Sequence, residues 1–132
     1  NLLNSRLQER YKTDANHTDQ EFSLLAERFP ENIKLFFSYS EGGEPTAGVA
    51  MYLYDGVAHT QYMTTTEQGR ESGDLDALID EMISLAQAKG FRYFSFGAST
   101  EDGGRRLNEG LLRQKEGFGA RSVIHDFYEL NL

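Results

Sequence analysis

Two side chains in this sequence are the best candidates to move a proton at neutral pH, one histidine and one glutamate. His59 carries an imidazole whose ordinary pKa lies near neutrality, so it could remove a proton from an incoming ammonium group. On a strand it would share one face with Val57, Gln61 and Met63. Glu101 follows an apolar, strand-like run, where sheets tend to place ligand groups, and it could act as a base or bind a substrate ammonium. Each also has a structural interpretation, as a hydrogen-bonded strand histidine and as a capping or turn carboxylate.

Two polar residues near Glu101 could support it. Ser99 and Asn108 could hydrogen-bond a substrate or position the Glu101 carboxylate, and Asn108 fits a helix cap at least as well. Ser99 does not lie in a Gly-x-Ser-x-Gly elbow, so we do not expect a covalent serine nucleophile. The sequence has no cysteine, and its three histidines show no close ligand spacing. We therefore expect neither thiolate chemistry nor a metal site.

A polar segment with two glycines lies between a strand-like run and an amphipathic helix. Unpaired N–H groups at such a helix entrance can hold a phosphate group. Arg70 would add a positive charge, whereas Glu71 and Asp74 would oppose an anion. The alternative is an ordinary solvated connection. The residues that we predict to bind a cofactor here are Gln68, Gly69, Arg70, Glu71, Ser72, Gly73 and Asp74.

Hydrophobic periodicity predicts the elements that position these residues. Apolar side chains between Leu75 and Ala86 recur at helical spacing, and Asp55-Gly56 is the strongest hairpin-turn signal in the chain. The predicted order is α-α-β-β-β-α-β-α-β. Its elements are a helix ending near Thr13, a second helix stopped by Pro30, strands over 33–39, 46–54 and 57–65, a helix over 74–89, a strand over 93–96, a helix over 107–118 and a strand over 122–130.

Size and charge restrict the function classes. A chain of 132 residues can bury a real core, and we predict a single domain over residues 1–132. Its formal net charge of −8 argues against nonspecific binding to DNA, RNA or an anionic membrane. We find no apolar run long enough for a membrane span and no leader peptide, so we expect a cytoplasmic protein. Because the first residue is Asn1 rather than Met, we expect the sequence to be part of a longer chain.

The C-terminal half carries the motifs of a known family. Residues 94–101 read FSFGASTE, and residues 107–119 read LNEGLLRQKEGFG. Together they resemble the FGxSTE…LNxGLxxxKExFG pattern of bacterial FemAB-like, "BioF2-like" acetyltransferase domains. The sequence AHTQY at residues 58–62 is similar to a strand typical of that group. The order of elements also resembles the Gcn5-related N-acetyltransferase (GNAT) fold, and the similarity covers roughly residues 18–130.

This resemblance implies an α/β (α+β) fold with a GNAT-like mixed, mostly antiparallel sheet flanked by helices. It implies an acyltransferase that moves an acyl or aminoacyl group to an amine. The donor would be acetyl-CoA, another acyl-CoA or an aminoacyl-tRNA, and the acceptor a small-molecule amine or a cell-envelope precursor. Lys115, in the KEGFG stretch, could contact a cofactor phosphate or a neighbouring carboxylate.

The sequence departs from the family pattern at two places. GNAT enzymes usually carry a Q/R-x-x-G-x-G/A loop, in which Arg70 and Gly73 match, but Leu75 stands where Gly or Ala is expected. The first strand of a complete GNAT domain has no counterpart, so the chain resembles the C-terminal half of a two-half FemAB-like protein. An unpaired sheet edge predicts a homodimer or pairing with the missing half. The competing interpretation is a noncatalytic GNAT-like module that binds a partner or serves as a structural half.

Overall fold

The computed structural model describes residues 19–126 and 128–130 of the chain. These residues belong to two compact units, one that ends at Gly97 and one that begins at Ala98. The helix predicted to end near Thr13 lies outside the described residues. Within them, no helix is both long enough and apolar enough to cross a membrane.

The first unit is a four-stranded mixed sheet with helices packed on it. The strands are in the order β1-β2-β3-β4, with β1 to β3 antiparallel and β4 parallel to β3. This confirms the predicted fold class. The elements are α1 (Asp19–Arg28), β1 (Ile33–Tyr39), β2 (Pro45–Tyr54), β3 (Val57–Thr65), α2 (Glu67–Ser72), α3 (Asp74–Ala88) and β4 (Tyr93–Ser95).

A two-residue turn joins β2 to β3, as the sequence predicts. Asp55 and Gly56 both have positive φ, 42° and 78°. This is the backbone that a tight hairpin between right-twisted strands requires. Tyr54 and Val57 are the first register pair after the turn.

The hydrophobic core lies between α3 and the strands it contacts, β1 to β3. Small residues on β2 allow the helix to lie close to the sheet, while α3 supplies the larger side chains at helical spacing. Full burial of one such large aliphatic side chain contributes about 1.5–3 kcal/mol. The buried hydrophobic residues are Ala47, Val49, Ala50, Met51 and Ala58 of the sheet, and Leu78, Ile79, Met82 and Ala86 of α3.

A β-bulge in β3 changes which side chains share a face with His59. The register passes from Met51–Thr60 to Ala50–Tyr62, so Gln61 is the extra residue. Beyond the bulge, Tyr62 takes the face that strict alternation would give to Gln61 and Met63. The predicted place of Met63 on the face of His59 is therefore wrong, whereas Val57 shares that face as predicted.

The second unit contains a small hairpin followed by a helix. Strand β5 (Thr100–Glu101) pairs antiparallel with β6 (Arg106–Leu107) around a short 3₁₀ turn, Asp102–Gly104. Helix α4 (Glu109–Gly117) follows. It confirms the helix predicted over 107–118, with the first residues assigned instead to the strand and the cap.

The predicted strand over 122–130 is not formed. Residues 121–126 and 128–130 belong to no helix or strand, and the side chains of Ile124 and Leu130 are 92% and 81% exposed. Apolar and aromatic residues favour a strand only where its backbone pairs with a neighbour and its side chains pack. In the described part of the chain no strand pairs with this segment.

Candidate active site

His59 lies at the last register pair between the two parallel strands. Its partner on β4 is Ser95, and the imidazole Nδ1 is 2.9 Å from the Ser95 hydroxyl. Both side chains are partly buried. Ser95 was missed by the sequence analysis, although it is the single polar residue in the apolar run Tyr93–Phe94–Ser95–Phe96.

Strands β3 and β4 separate beyond this pair. Strand β3 continues to Thr65, whereas β4 ends at Ser95, and no other strand of residues 19–126 pairs with β3 on that side. Gly97, with φ of 69°, turns the chain out of the extended region. A Cβ atom at Gly97 would lie 3.2 Å from His59 Cε1, so glycine leaves room for the ring. The result is an open strand edge that begins at the imidazole.

Two tyrosines lie on the same face of the sheet as His59. Tyr52 is directly opposite His59 in the β2–β3 register, and Tyr62 reaches this face through the bulge. Burial raises the pKa of the Tyr52 hydroxyl, and Tyr62 raises it further. Among the described residues, the buried Tyr52 hydroxyl has no hydrogen-bond partner. Tyr62 also contacts the Phe22 ring of α1 edge-on, at 5.8 Å between ring centroids.

The segment predicted to be a phosphate loop is largely helical. Thr66 caps α2 and accepts a hydrogen bond from the Gly69 N–H at 3.0 Å. Gly69 is buried, and a Cβ there would lie 2.8 Å from Thr65 Oγ1 and closer still to the Thr46 carbonyl. The N–H groups of Arg70 and Gly73 also donate to backbone carbonyls. The predicted loop over Gln68 to Asp74 is therefore wrong at residues 68–72, which are helical.

The entrance of α3 retains part of the predicted anion site. Gly73 takes the left-handed conformation and provides no side-chain cap. The first α-helical hydrogen bond runs from the Ala77 N–H to the Gly73 carbonyl, so the preceding N–H groups of the first turn have no helical acceptor. Asp74 and Asp76 lie in this turn and place negative charge beside those groups. Arg70 is exposed nearby in sequence, at the end of α2.

In the second unit, both carboxylate oxygens of Glu101 are engaged. Oε2 forms an ion pair with Arg106, and Oε1 accepts a hydrogen bond of 2.7 Å from Asn108 Nδ2. Asn108 also caps α4, because its Oδ1 accepts the Leu111 N–H at 2.9 Å. The Ser99 carbonyl accepts the Asn108 N–H at 2.8 Å. These contacts confirm that Asn108 caps a helix. They also engage the Glu101 carboxylate with Arg106 and Asn108, and a role for Ser99, Glu101 or Asn108 toward a substrate stays a prediction.

Lys115 is buried within the second unit. It is 6% exposed, and its ammonium donates a hydrogen bond of 2.6 Å to the Ala98 carbonyl. Burial lowers its pKa below the ordinary value. A contact of Lys115 with a cofactor phosphate stays a prediction. Among the described residues, no group of three or more His, Asp or Glu side chains could hold a metal ion.

A mixed, mostly antiparallel sheet flanked by helices defines the fold class of this protein, and solved acetyltransferase structures share that fold. A probable acetyltransferase matches with TM-score 0.71 and 14% identity, covering 98% of this chain and 87% of its own. AAC(6')-Iy, in complex with the bisubstrate analogue CoA-S-monomethyl-acetylneamine, matches with TM-score 0.66 and 14% identity, covering 93% and 86%. The aminoglycoside 6'-N-acetyltransferase AAC(6')-Ih from Acinetobacter baumannii matches with TM-score 0.66 and 14% identity, covering 98% and 92%.

The sequence itself matches the acetyltransferase (GNAT) domain family over residues 2–103. The chain therefore belongs to that family, and this confirms its assignment to a family of enzymes. None of the curated proteins compared matches the sequence.

Proposed function

We propose that this chain is an N-acyltransferase that moves an acyl group from acetyl-CoA or another acyl-CoA to an amine. The observation that carries the proposal is the separation of β3 and β4 immediately beyond His59 and Ser95. It places a proton-accepting side chain at the start of an open strand edge, within the fold of a family of acetyltransferases.

In the proposed reaction His59 is the general base. It accepts a proton from the acceptor ammonium, and the amine nitrogen then bonds to the thioester carbonyl carbon. The carbon–sulfur bond breaks, and the thiolate leaves with the electron pair and takes up the proton that the amine nitrogen loses as the amide forms. A positioned general base of this kind contributes roughly 10²- to 10⁴-fold to a rate.

The open edge of β3 suits the part of the donor that carries amides. An unpaired strand edge presents backbone N–H and C=O groups that an extended amide chain can pair with. The stretch from Thr60 to Thr65 is such an edge on the side facing away from β2. We propose that it holds the pantetheine arm of the donor.

The entrance of α3 suits the diphosphate of CoA less well than the edge of β3 suits the pantetheine arm. The free N–H groups at the start of α3 and the guanidinium of Arg70 would attract it. Glu71, Asp74 and Asp76 would repel it. We propose that the diphosphate contributes little to donor affinity, and that the predicted cofactor role survives only at the Arg70 guanidinium and at the backbone N–H of Asp74.

Glu101 has a structural role in this proposal, unlike the general base His59. Because Arg106 and Asn108 engage its carboxylate, we propose that Glu101 organises the β5–β6 hairpin and the start of α4. Binding of an acceptor ammonium by this carboxylate, with Ser99 as a neighbouring hydrogen-bonding group, is the remaining functional possibility.

A noncatalytic GNAT-like module is the second candidate. One observation favours it: the N–H groups of Gly69, Arg70 and Gly73, which the family motif would offer to a donor, are satisfied within the chain. A module of this kind would bind a partner or serve as a structural half, and it would bind no acyl donor.

At a finer level, we propose that the protein is FemAB-like. The support is the FSFGASTE and LNEGLLRQKEGFG motifs. This assignment would make residues 1–132 one domain, the C-terminal half of a larger cytoplasmic protein or a subunit of a homodimer. Its acceptor would be a small-molecule amine or a cell-envelope precursor, and an aminoacyl-tRNA would be the alternative donor. Transfer assays with acetyl-CoA and with aminoacyl-tRNA distinguish the donors, and sedimentation measures the assembly.

Calorimetric titration with acetyl-CoA and with free CoA tests the proposed function. Saturable binding of acetyl-CoA, followed by acylation of an amine in a panel of acceptors, would support the enzyme. Absence of binding both to this chain and to the full-length protein would favour the noncatalytic module. Arg70→Ala is the variant for the diphosphate contact, and we expect it to weaken binding by less than about threefold.

A further inference from the structure

We propose that the sheet face carrying His59 binds the acceptor through uncharged aromatic side chains. The acceptor is then an amine with an aromatic or apolar body, and a polycation is disfavoured. This inference rests on the proposed function for the meaning of the word acceptor, but binding to this face can be measured without acyl transfer.

One face of the four-stranded sheet carries no charged side chain on its strands. His59 and its register partner Tyr52 define this face, and alternation along each strand assigns the other positions. Lys34 is the charged residue of strands β1 to β4, and it lies on the opposite face. We call the uncharged side the aromatic face, after its aromatic members Phe37, Tyr39, Tyr52, Tyr54, Tyr62 and Tyr93.

The aromatic face is covered only in part. The opposite face of the sheet packs on α3. On the aromatic face, Phe22 of α1 contacts the Tyr62 ring. Leu35 and Tyr39 remain 43% and 62% exposed. Apolar and aromatic surface that is left open beside a candidate base offers contact area to an apolar ligand.

The surroundings of Tyr52 disfavour charge beside His59. The Tyr52 hydroxyl is buried and has no hydrogen-bond partner among the described residues. Burial raises the pKa of this hydroxyl, and Tyr62 raises it further. The charged side chains of α1 whose burial the structure describes are exposed to solvent: Glu21, Glu27 and Arg28.

This environment suits one ammonium group better than several. The π face of a tyrosine attracts a single cation, and apolar surroundings make an ammonium release its proton more readily. Each further ammonium of a polycation would lose water without a carboxylate of the strands to pair with. The aromatic face therefore selects for the body of the acceptor as well as for its amine.

A comparison of amines tests the proposal, with acetyl-CoA as donor and release of the CoA thiol as readout. The probes are 4-phenylbutylamine, butylamine, which lacks the ring but ionises alike, and spermidine, a polycation. We expect kcat/KM for 4-phenylbutylamine to exceed the values for butylamine and for spermidine by about tenfold or more, because the ring is removed from water.

A carboxylate placed on the aromatic face should change this preference. Leu35 lies in the same row as Tyr62, two strand spacings or about 10 Å away. We expect Leu35→Glu to raise the rate ratio of spermidine to 4-phenylbutylamine by about fivefold. Gln87→Glu is the matched control, because it adds the same charge at an exposed position of α3, on the other side of the sheet, and it should leave the ratio unchanged. If Leu35→Glu does not fold, Tyr39→Glu supplies the carboxylate at a more exposed position.

A preference of the wild type for butylamine or spermidine, or an unchanged ratio in the carboxylate variant, would overturn the proposal. Amide NMR decides the matter if no amine is acetylated. We expect 4-phenylbutylamine, and not spermidine, to shift the amides of Ala50 and Tyr52 on β2. Such shifts without transfer would contradict the proposed function and leave the aromatic site intact. Shifts confined to other parts of the chain, or none at all, would overturn the aromatic site.

Discussion

The ammonium of Lys115 donates a hydrogen bond of 2.6 Å to the carbonyl of Ala98, 17 residues earlier in the chain. This bond joins the inner face of α4 to the segment that leads into β5. A lysine at 6% exposure is unusual, because removing a charged amine from water is costly unless polar groups satisfy it. The contact indicates that Lys115 stabilises the second unit from within.

Replacing Lys115 should therefore destabilise this unit. We expect Lys115→Met to lower the free energy of unfolding by about 1–3 kcal/mol at neutral pH, since a charge-assisted hydrogen bond is lost. Exposed Lys89, at the end of α3, provides the matched control Lys89→Met, for which we expect less than about 0.5 kcal/mol. Urea denaturation measures both. Equal effects of the two substitutions would contradict the internal role of Lys115.

The lowered pKa of Lys115 gives a pH dependence with a definite sign. Between its pKa in the folded protein and the ordinary value of 10.5, the unfolded chain binds more protons than the folded one. The free energy of unfolding contributed by this group therefore rises with pH in that window. The wild type should gain stability over Lys115→Met as pH approaches 10.5 from below. A difference that shrinks with rising pH would be inconsistent with the burial of the amine.

Two substitutions separate the candidate bases. His59→Gln should lower kcat by roughly 10²-fold or more, because it removes the group proposed to accept the proton. Glu101→Gln should lower it by less than about tenfold, because the Glu101 carboxylate is already engaged by Arg106 and Asn108. Steady-state kinetics with an accepted amine compares the two variants. A larger loss in Glu101→Gln would transfer the base role to Glu101.

The buried glycine of α2 should be sensitive to one added carbon. Gly69→Ala places a Cβ 2.8 Å from Thr65 Oγ1 and against the Thr46 carbonyl, so we expect a loss of about 1–3 kcal/mol. Gly110→Ala is the control, because its Cβ would make only an ordinary contact of 3.6 Å inside α4. That change should be neutral or stabilise by up to about 1 kcal/mol. Thermal unfolding of the two variants gives the comparison, and a stable Gly69→Ala would mean that the α2 contact can relax.

The acidic entrance of α3 predicts how the donor is bound. Acetyl-pantetheine, which lacks the diphosphate, should bind within about threefold of acetyl-CoA. Asp74→Asn should tighten acetyl-CoA binding several-fold by removing repulsion, and it should cost about 0.3–1 kcal/mol of stability at the helix N-terminus. Calorimetry with both donors on the same protein preparation tests this. Binding that is ten times tighter for acetyl-CoA would show that the diphosphate is recognised.

Local patterns gave correct predictions where a short stretch of sequence determines the backbone. The Asp55-Gly56 turn, the strands on either side of it and the apolar face of α3 all follow from residue type and spacing. Helix α2 was missed because its residues have no apolar periodicity. It forms because Thr66 caps it and because Gly69 fits against Thr46 of a strand distant in sequence.

The candidate site depends on the register between paired strands, which the sequence of a single strand does not reveal. His59 was identified by its chemistry, but Met63 was wrongly placed on its face because the extra residue Gln61 reverses the alternation. Ser95 becomes relevant only through the β3–β4 register. The prediction of a strand over 122–130 was wrong for a related reason. The segment has a strand-like composition, but no strand among the described residues pairs with it.

The brief pairing of β4 has a consequence for folding and local opening. Strands β1 to β3 form a meander of neighbouring segments, whereas β4 reaches β3 only after α2 and α3 and pairs at three positions ending at Ser95. Local contacts form early, and distant ones close larger loops and form later. The amides of β4 should therefore exchange with solvent faster than those of β2, through an opening that leaves the meander intact. The boundary of the proposed donor site would then be the part of the sheet that opens most easily.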